Sequence, residues 1–275
     1  GYWGTLFMDL AFINKTLESN LSQRAPDVQF FDSIDSTNAE ALRQLEGIKF
    51  GKSSEINKVL IANYQTAGRG RRGRAWISPK DAGLYFSVVK KFEQNPEALQ
   101  GLSLVIGLAV CQVLRRFGVD NAQLKWPNDI LVENAKLAGI LLETRQSLES
   151  CYVVIGIGLN LRLQKNDSAQ IDREVTDLSK LLNSLPQKEV IFIALIEEIE
   201  NHLDIFTLEG FASFQLEWNS LDRFFGRQVR VDSGLKTLVE GISLGVDASG
   251  ALRVDTGEGE KKILGGELSP SLVLS

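Results

Sequence analysis

The chain has 275 residues, 44% of them hydrophobic and 24% charged. That is enough to bury a large core, as one large domain or a large one with a small one, and the composition excludes collagen-like, coiled-coil and disordered classes. Thirty basic against thirty-five acidic side chains leave a formal charge of -5, so no bulk positive field draws in DNA or an anionic membrane, and any polyanion site must be local.

Residues 1–12 lack the basic opening of a secretion signal, and the longest apolar run, 102–114, is shorter than the roughly 20 residues a membrane span needs. Met8 is the single methionine, so translation is read as starting there, with residues 1–7 an upstream remnant. Residues 10–24 read as a helix and 28–34 as a strand. A helix then opens at Ser36-Thr37, with Glu40 three residues after Thr37 as a capping box. Residues 59–64 form a β-rich strand, the cationic loop 66–80 follows, and strand resumes at 84–90. A helix over 96–117, apolar on most faces, is expected to pack deep against a sheet.

Short strands near 122–126, 130–133, 136–144 and 152–161 are joined by turns too short for crossover helices, which implies antiparallel pairing. Helices return at about 174–183, 187–207 and 210–220. The only histidine, His202, lies in an amphipathic stretch and reads as a solvated helix residue, which leaves chemistry to lysine, arginine and backbone donors. Cys111 and Cys151 sit in apolar stretches and form neither a zinc cluster nor a disulfide framework, as suits a reducing cytoplasm. From Arg227 onward, short strands at 228–231, 237–243, 251–255 and 262–263 with glycine-rich turns suggest a small β-barrel.

Four constellations could carry chemistry. Gly68-Arg69-Gly70-Arg71-Arg72-Gly73-Arg74 places four guanidinium groups in seven residues with no carboxylate between them. Such charges repel, so an ordered loop calls for an anionic guest, and the glycines let the backbone approach it. By composition a solvated loop or a nucleic-acid patch fits equally well; the loop's position, between a strand end at Gln65 and a return through Trp76, favours closure on phosphate. Lys125-Trp126-Pro127-Asn128-Asp129 breaks one strand and turns the chain, and Lys136 begins the return strand with its ammonium at the pocket mouth or free on the surface. Gly156 and Gly158 interrupt an apolar strand that ends at Asn160, marking a bulge or a close backbone approach, without the third glycine of a dinucleotide fingerprint. Asp35-Ser36-Thr37-Asn38 offers polar groups at a helix start, as a plain cap or for small polar groups of a ligand.

Taken in order, these pieces resemble the biotin protein ligases: Asp35 to Asn38, Gln65 to Trp76, Gly83-Leu84-Tyr85-Phe86-Ser87, Lys125 to Asp129, Lys136 to Gly139, and Gly156 to Asn160. The resemblance implies an α+β fold, with a mixed, mainly antiparallel sheet carrying helices on one side and a small C-terminal SH3-like barrel. It divides the chain into an extension at 1–27, a catalytic unit at 28–222 and the barrel at 223–275. The 27 residues before the catalytic unit are too few for a DNA-binding domain, so the monofunctional type is expected, with no DNA or membrane partner and a cytoplasmic location.

The implied activity is a ligase that makes biotinyl-5′-AMP from biotin and ATP and transfers biotin to a lysine of a biotin carboxyl carrier protein. Magnesium accompanies the ATP, with no resident metal. Lys136, Arg71 and Arg74 are expected to act in catalysis. Ser36, Thr37, Asn38, Gln65, Arg69, Gly70, Arg71, Tyr85, Ser87, Lys136, Gly139, Gly156 and Gly158 are expected to bind biotin. Arg69, Arg71, Arg74, Trp76, Lys136 and Asn160 are expected at the adenylate. Asp129 is a turn-former, a magnesium-water contact or an orienter of the lysine. A lipoate ligase or octanoyltransferase, and a non-enzymatic ligand- or nucleic-acid-binding module, are the alternatives, and a homodimer through a sheet edge stays open.

Overall fold

The computed structural model describes residues 8–48, 56–93, 95–146, 150–234 and 237–270; the stretch 1–7, read above as a remnant, lies outside them. A seven-stranded sheet runs in the order β1-β2-β3-β7-β6-β5-β4. Its strands are β1 (Asp27–Phe31), β2 (Asn57–Ala62), β3 (Gly83–Phe92), β4 (Ala122–Lys125), β5 (Asp129–Val132), β6 (Ala135–Gln146) and β7 (Cys151–Asn160). Only β1 and β2 pair in parallel; every other pairing is antiparallel, as the short connections require.

Both faces of this sheet are covered, for a reason visible in β2. Val59 and Ile61 join the main core with α1 (Leu10–Leu21), α3 (Leu102–Arg116) and α6 (Lys188–Glu209). Leu60, on the other face, packs with Ala41, Leu42 and Leu45 of α2 (Thr37–Glu46) and with Val89 and Val154. The helices therefore do not all lie on one side: α2 alone takes the second face, and only over part of it. The uncovered remainder becomes the floor of a cleft.

Several local expectations change. The α2 cap is Ser36, whose Oγ accepts from Ala39 N at 3.2 Å, while Glu40 turns outward to pair with Arg43 at 2.8 Å, so no capping box forms. The apolar helix is interrupted: a short 3₁₀ turn, Pro96–Leu99, ends at Gly101, whose φ of +84° is reserved for glycine, and α3 begins after it. Pro96–Arg116 is long and apolar enough to cross a membrane by length and hydropathy, but it is mostly buried in this fold. Of the expected helix at 174–183 only α5 (Leu178–Leu181) forms, after a short α4 (Lys165–Ala169), because residues on either side of Val175 are tied to Lys136 as an isolated strand bridge. His202 is buried: its Nδ1 lies 3.0 Å from Glu198 O, its ring stacks on Phe214 at 5.2 Å, and burial lowers its pKa.

After α7 (Gln215–Leu221) comes a five-stranded antiparallel sheet in the order β11-β10-β9-β8-β12. Its strands are β8 (Gln228–Asp232), β9 (Leu238–Val246), β10 (Leu252–Asp255), β11 (Glu260–Ile263) and β12 (Glu267–Pro270), the last unanticipated. No pairing closes β11 onto β12 among the described residues. Directed hydrogen bonds dock this sheet. Trp126 Nε1 donates to Gly250 O at 3.3 Å, and Asn219 bonds Val246 twice, accepting from its N–H at 2.8 Å and donating to its carbonyl at 3.1 Å.

At the junction, Asp222 is buried beside the edge strand β4. One carboxylate oxygen accepts from Phe224 N at 3.0 Å and the other has no partner. Burial pushes its pKa up to about 7. The unfolded value is about 4, so the folded state binds the extra proton and stability falls as pH rises between those two values. Asp222→Asn should keep the Phe224 bond and remove this decline. Thermal unfolding at pH steps from about 4 to about 8 should show the variant gaining on wild type as pH rises; parallel curves would show that Asp222 does not titrate in this window.

Candidate active site

The part of the sheet left bare by α2 opens into a cleft of about 1160 Å³. Its walls are the α2 N-terminus, the loop between β2 and β3, the turn between β4 and β5, and the edge of the C-terminal sheet. At one end Gln65 Oε1 accepts from Thr37 N at 2.9 Å while its amide donates to Ser78 Oγ at 2.8 Å. Ser87 Oγ lies 2.7 Å from Thr37 Oγ1 and also contacts Asn38 Oδ1. Asn38 donates to Glu143 at 3.0 Å, and Glu143 pairs with Arg69 at 3.2 Å. This network fixes the polar groups in place before any ligand arrives.

Ser36, Thr37, Asn38 and Gln65 therefore come together at the cleft wall, as expected. Tyr85 and Ser87 do not line it. Ser87 stands fully buried behind Thr37 and Asn38, and Tyr85 donates its hydroxyl to Pro79 O at 3.0 Å in a burial that raises its pKa. Their strand alternation places them on the correct face, but neighbouring side chains cover them. The glycines act through space. A Cβ on Gly158 would meet the Trp76 ring at 2.5 Å, one on Gly139 would meet it at 2.9 Å, and one on Gly156 would strike Asn38 at 2.5 Å. Trp76 thus lies flat on a glycine floor, with its Nε1 buried and unpartnered.

Lys136 Nζ sits 4.9 Å above the Trp76 ring and 2.9 Å from Asp129. Of the readings open for Asp129, the orienter of the lysine is the one this geometry displays, and Asp129 also stands opposite Gly139 in the β5–β6 register. Asn160 lines the cleft but donates to Thr176 O at 3.1 Å. Lys125, at the end of β4, lines the cleft as well, and burial lowers its pKa.

The arginine loop is a folded hairpin. Trp76 N donates to Gly68 O at 2.9 Å, Gly70 N donates to Arg74 O at 2.8 Å, and Arg72 takes a left-handed φ of 56° at the tip. Carboxylates of the chain itself meet three of its four guanidinium groups. Arg69 meets Glu143, Arg72 meets Asp232 at 3.1 Å, and Arg74 forms a fork with Glu267, two contacts of 2.8 Å. These carboxylates lie on distant strands, invisible to a search for acids inside the loop. Arg74 thus borders the cleft with both terminal nitrogens taken. Arg71 differs: it donates to Gly266 O at 2.7 Å and reaches Asn128 at 3.5 Å, forms no ion pair with a carboxylate among the described residues, and is partly buried, which lowers its pKa. Glu143, Asn128, Asp232 and Glu267 are the site residues that sequence reasoning missed; Glu143 and Asn128 stood within the motifs, but only strand register reveals their partners.

A sequence profile of the Biotin/lipoate A/B protein ligase family matches residues 30–160, and one of the Biotin protein ligase C terminal domain matches 224–269. The bifunctional ligase/repressor BirA of Escherichia coli strain K12 is 39% identical over 86% of this chain and 71% of its own length. A biotin–[acetyl-CoA-carboxylase] ligase of Mycobacterium tuberculosis is 34% identical over 81% of this chain and 80% of that protein. Among solved structures, the biotin protein ligase from Aquifex aeolicus in complex with biotin and ATP is 28% identical, with a TM-score of 0.72 over 89% of this chain and 99% of that one.

The loop's attachment to the C-terminal sheet is testable by itself. The pairs are about half exposed on the arginine or carboxylate side, so each contributes modestly and is screened by salt. Removing both carboxylates in Asp232→Asn/Glu267→Gln should free the hairpin, and trypsin should then cleave at Arg72 or Arg74 at least about threefold faster, as expected when roughly 1 kcal/mol of tethering is lost. Cleavage at the wild-type rate would mean that the ion pairs do not hold the loop.

Proposed function

The chain belongs to the biotin protein ligases of the biotin/lipoate A/B protein ligase family, and from that membership we propose that it activates biotin as biotinyl-5′-AMP and transfers it to a lysine of a biotin carboxyl carrier protein. The carrying observation is the position of Lys136. Its ammonium is oriented by Asp129 and rests over Trp76, and Lys136 lines the same cleft as Ser36, Thr37, Asn38 and Gln65 and as Arg69 and Arg71 of the hairpin.

In the first step a carboxylate oxygen of biotin attacks the α-phosphorus of ATP and pyrophosphate leaves. Two unit negative charges at 4 Å repel by about 1 kcal/mol in water and about 4 kcal/mol at an effective dielectric of 20. On this reading Lys136 and Arg71 offset this: among the described residues Arg71 forms no ion pair, and Lys136 is paired with Asp129 alone. Arg69 contributes if it exchanges Glu143 for phosphate. In the second step the carrier's lysine amine attacks the acyl carbon and AMP leaves with the bonding pair. Ser36, Thr37, Asn38 and Gln65 suit the hydrogen-bonding ring of biotin, and Trp76 the boundary between biotin and adenine. Closure of the hairpin, with Gly70 at its base, keeps water from the mixed anhydride. On this reading residues 28–222 are the catalytic unit and 223–275 a C-terminal unit that holds the hairpin, and the reaction belongs in the cytoplasm, with ATP and the carrier.

Among the described residues no cluster of three or more carboxylate, imidazole or thiol groups exists to hold a cation, and Asp129 is engaged by Lys136. The magnesium that ATP carries finds no built protein cage, and no step here runs through it. Acyl transfer through a thiol, as in an octanoyltransferase, lacks a nucleophile: both cysteines are buried, with burial pushing Cys111 up to about 12 and Cys151 upward as well.

Purified protein with ATP, magnesium and biotin should release pyrophosphate and label a carrier domain; activity with lipoate and none with biotin would overturn the reading. Lys136→Ala should slow adenylate formation about 10²–10³-fold while biotin affinity changes far less, and unchanged turnover would remove Lys136 from the mechanism. Arg71→Ala should let biotinyl-AMP escape into solution, detectable by chromatography of the filtrate; retention equal to wild type would count against the lid.

A further inference from the structure

Lys125 has no part in the scheme above, yet its surroundings are unusual. It ends β4, borders the cleft, and stands directly opposite Asp129 in the β4–β5 register. Cross-strand partners project from the same sheet face, so Lys125 and Lys136 flank one carboxylate. That carboxylate is committed to Lys136 at 2.9 Å. Among the described residues no hydrogen bond or ion pair reaches the Lys125 ammonium. A mostly buried cation without a partner is costly, and the cost is consistent with a site completed by an incoming anion.

The distribution of charge indicates which anion. Glu143, Asp232 and Glu267 already match Arg69, Arg72 and Arg74. Among the described residues four cations that line the cleft form no ion pair, Arg71, Lys125, Arg173 and Arg227; the last two are exposed, so the more buried Arg71 and Lys125 remain, and Lys136 is matched by Asp129 alone. Adenylation brings a carboxylate and three phosphates into this space. If Lys136 and Arg71 serve the carboxylate and the α-phosphate, the β- and γ-phosphates still carry more negative charge than the magnesium that accompanies ATP offsets.

We propose that Lys125 binds the β- and γ-phosphates of ATP and stabilises pyrophosphate as it leaves. The assignment rests on the ligase reading. As the biotin carboxylate oxygen bonds to the α-phosphorus, the bond from that phosphorus to the oxygen bridging to the β-phosphate breaks. The electron pair departs with pyrophosphate, so negative charge grows on the oxygen that a nearby ammonium stabilises most. A lysine suits this task because an ammonium serves phosphate as a point charge with freely directed donors. Arg173 and Arg227, which also line the cleft, are exposed, so solvent is open to them without a guest.

The test compares wild type, Lys125→Met and Lys125→Arg as full chains, with Lys125→Gln replacing the methionine variant if that one does not fold. Three quantities are read: KM for ATP, inhibition by added pyrophosphate, and transfer of biotin from supplied biotinyl-AMP to a carrier domain. The methionine variant should raise KM for ATP and weaken pyrophosphate inhibition by about tenfold or more, the loss expected for one charge-assisted contact, and Lys125→Arg should recover most of both. Transfer from supplied biotinyl-AMP should match wild type, because no pyrophosphate takes part in it. Unchanged pyrophosphate inhibition, or transfer falling in parallel with adenylation, would overturn the assignment. An inactive wild type refutes the ligase reading itself, whereas an active wild type with an unaltered variant refutes only the role of Lys125.

Discussion

Four guanidinium groups crowded on one short hairpin beside the cleft repel one another, and the arrangement of this protein turns on how that repulsion is met. Glu143 comes from β6 opposite Arg69, Asp232 from the end of β8 opposite Arg72, and Glu267 from β12, where it meets both Arg74 and Arg72. Two of the three belong to the C-terminal sheet, so the docked sheet supplies most of the charge that matches the hairpin. Docking relies on Trp126 and Asn219, which bond backbone groups at Gly250 and Val246, and on the buried Asp222 at the junction. A surface ion pair is weak in isolation; here three carboxylates act on one short loop, two of them from the C-terminal sheet.

The cleft itself follows from incomplete coverage. α2 is ten residues long and covers the sheet face over β2, β3 and β7. Beyond its N-terminus the face continues across Gly139 and Gly158, where only an aromatic ring can lie close enough to shield the backbone. Trp76 lies there, and its ring positions the Lys136 ammonium that Asp129 orients from the other side. At the proposed biotin end Thr37, Asn38, Gln65 and Ser87 hydrogen-bond to one another and to Glu143 and Ser78, which is the preorganisation that acyl activation needs. Neither an imidazole nor a thiol enters this chemistry, in keeping with the buried His202 and the two buried cysteines.

Most strands were readable because alternation and turn residues are local properties: the breaks at Pro127 and at the glycines of the C-terminal sheet coincide with strand ends. Failures occurred where a distant contact overrides a local preference. The stretch 174–183 has helical texture, but Val175 pairs with Lys136 instead. His202 sits on a helix whose faces are nearly all buried between α3, α1 and Phe214, so its solvated reading failed. Tyr85 and Ser87 lie on the correct strand face and are still covered, since which residue reaches a cavity depends on the side chains in front of it. The motifs pointed to Lys136, Asn38, Gln65 and the hairpin, whose spacing is preserved in the chain itself.

Sequence by itself determined the material of the site: a guanidinium-rich loop after a strand, a lysine opening a return strand, glycines where backbone must be approached closely, and too few histidines and thiols for other chemistries. Those are matters of residue type and spacing, and they survive without coordinates. Only the tertiary structure decided which charges are matched and which are left over. Glu267 is 193 residues from Arg74, and Lys125 is left without a carboxylate because Asp129, directly across from it, turns to Lys136. Coulombic partnership depends on distance in space and on the water excluded between the groups, and neither quantity is written along the chain.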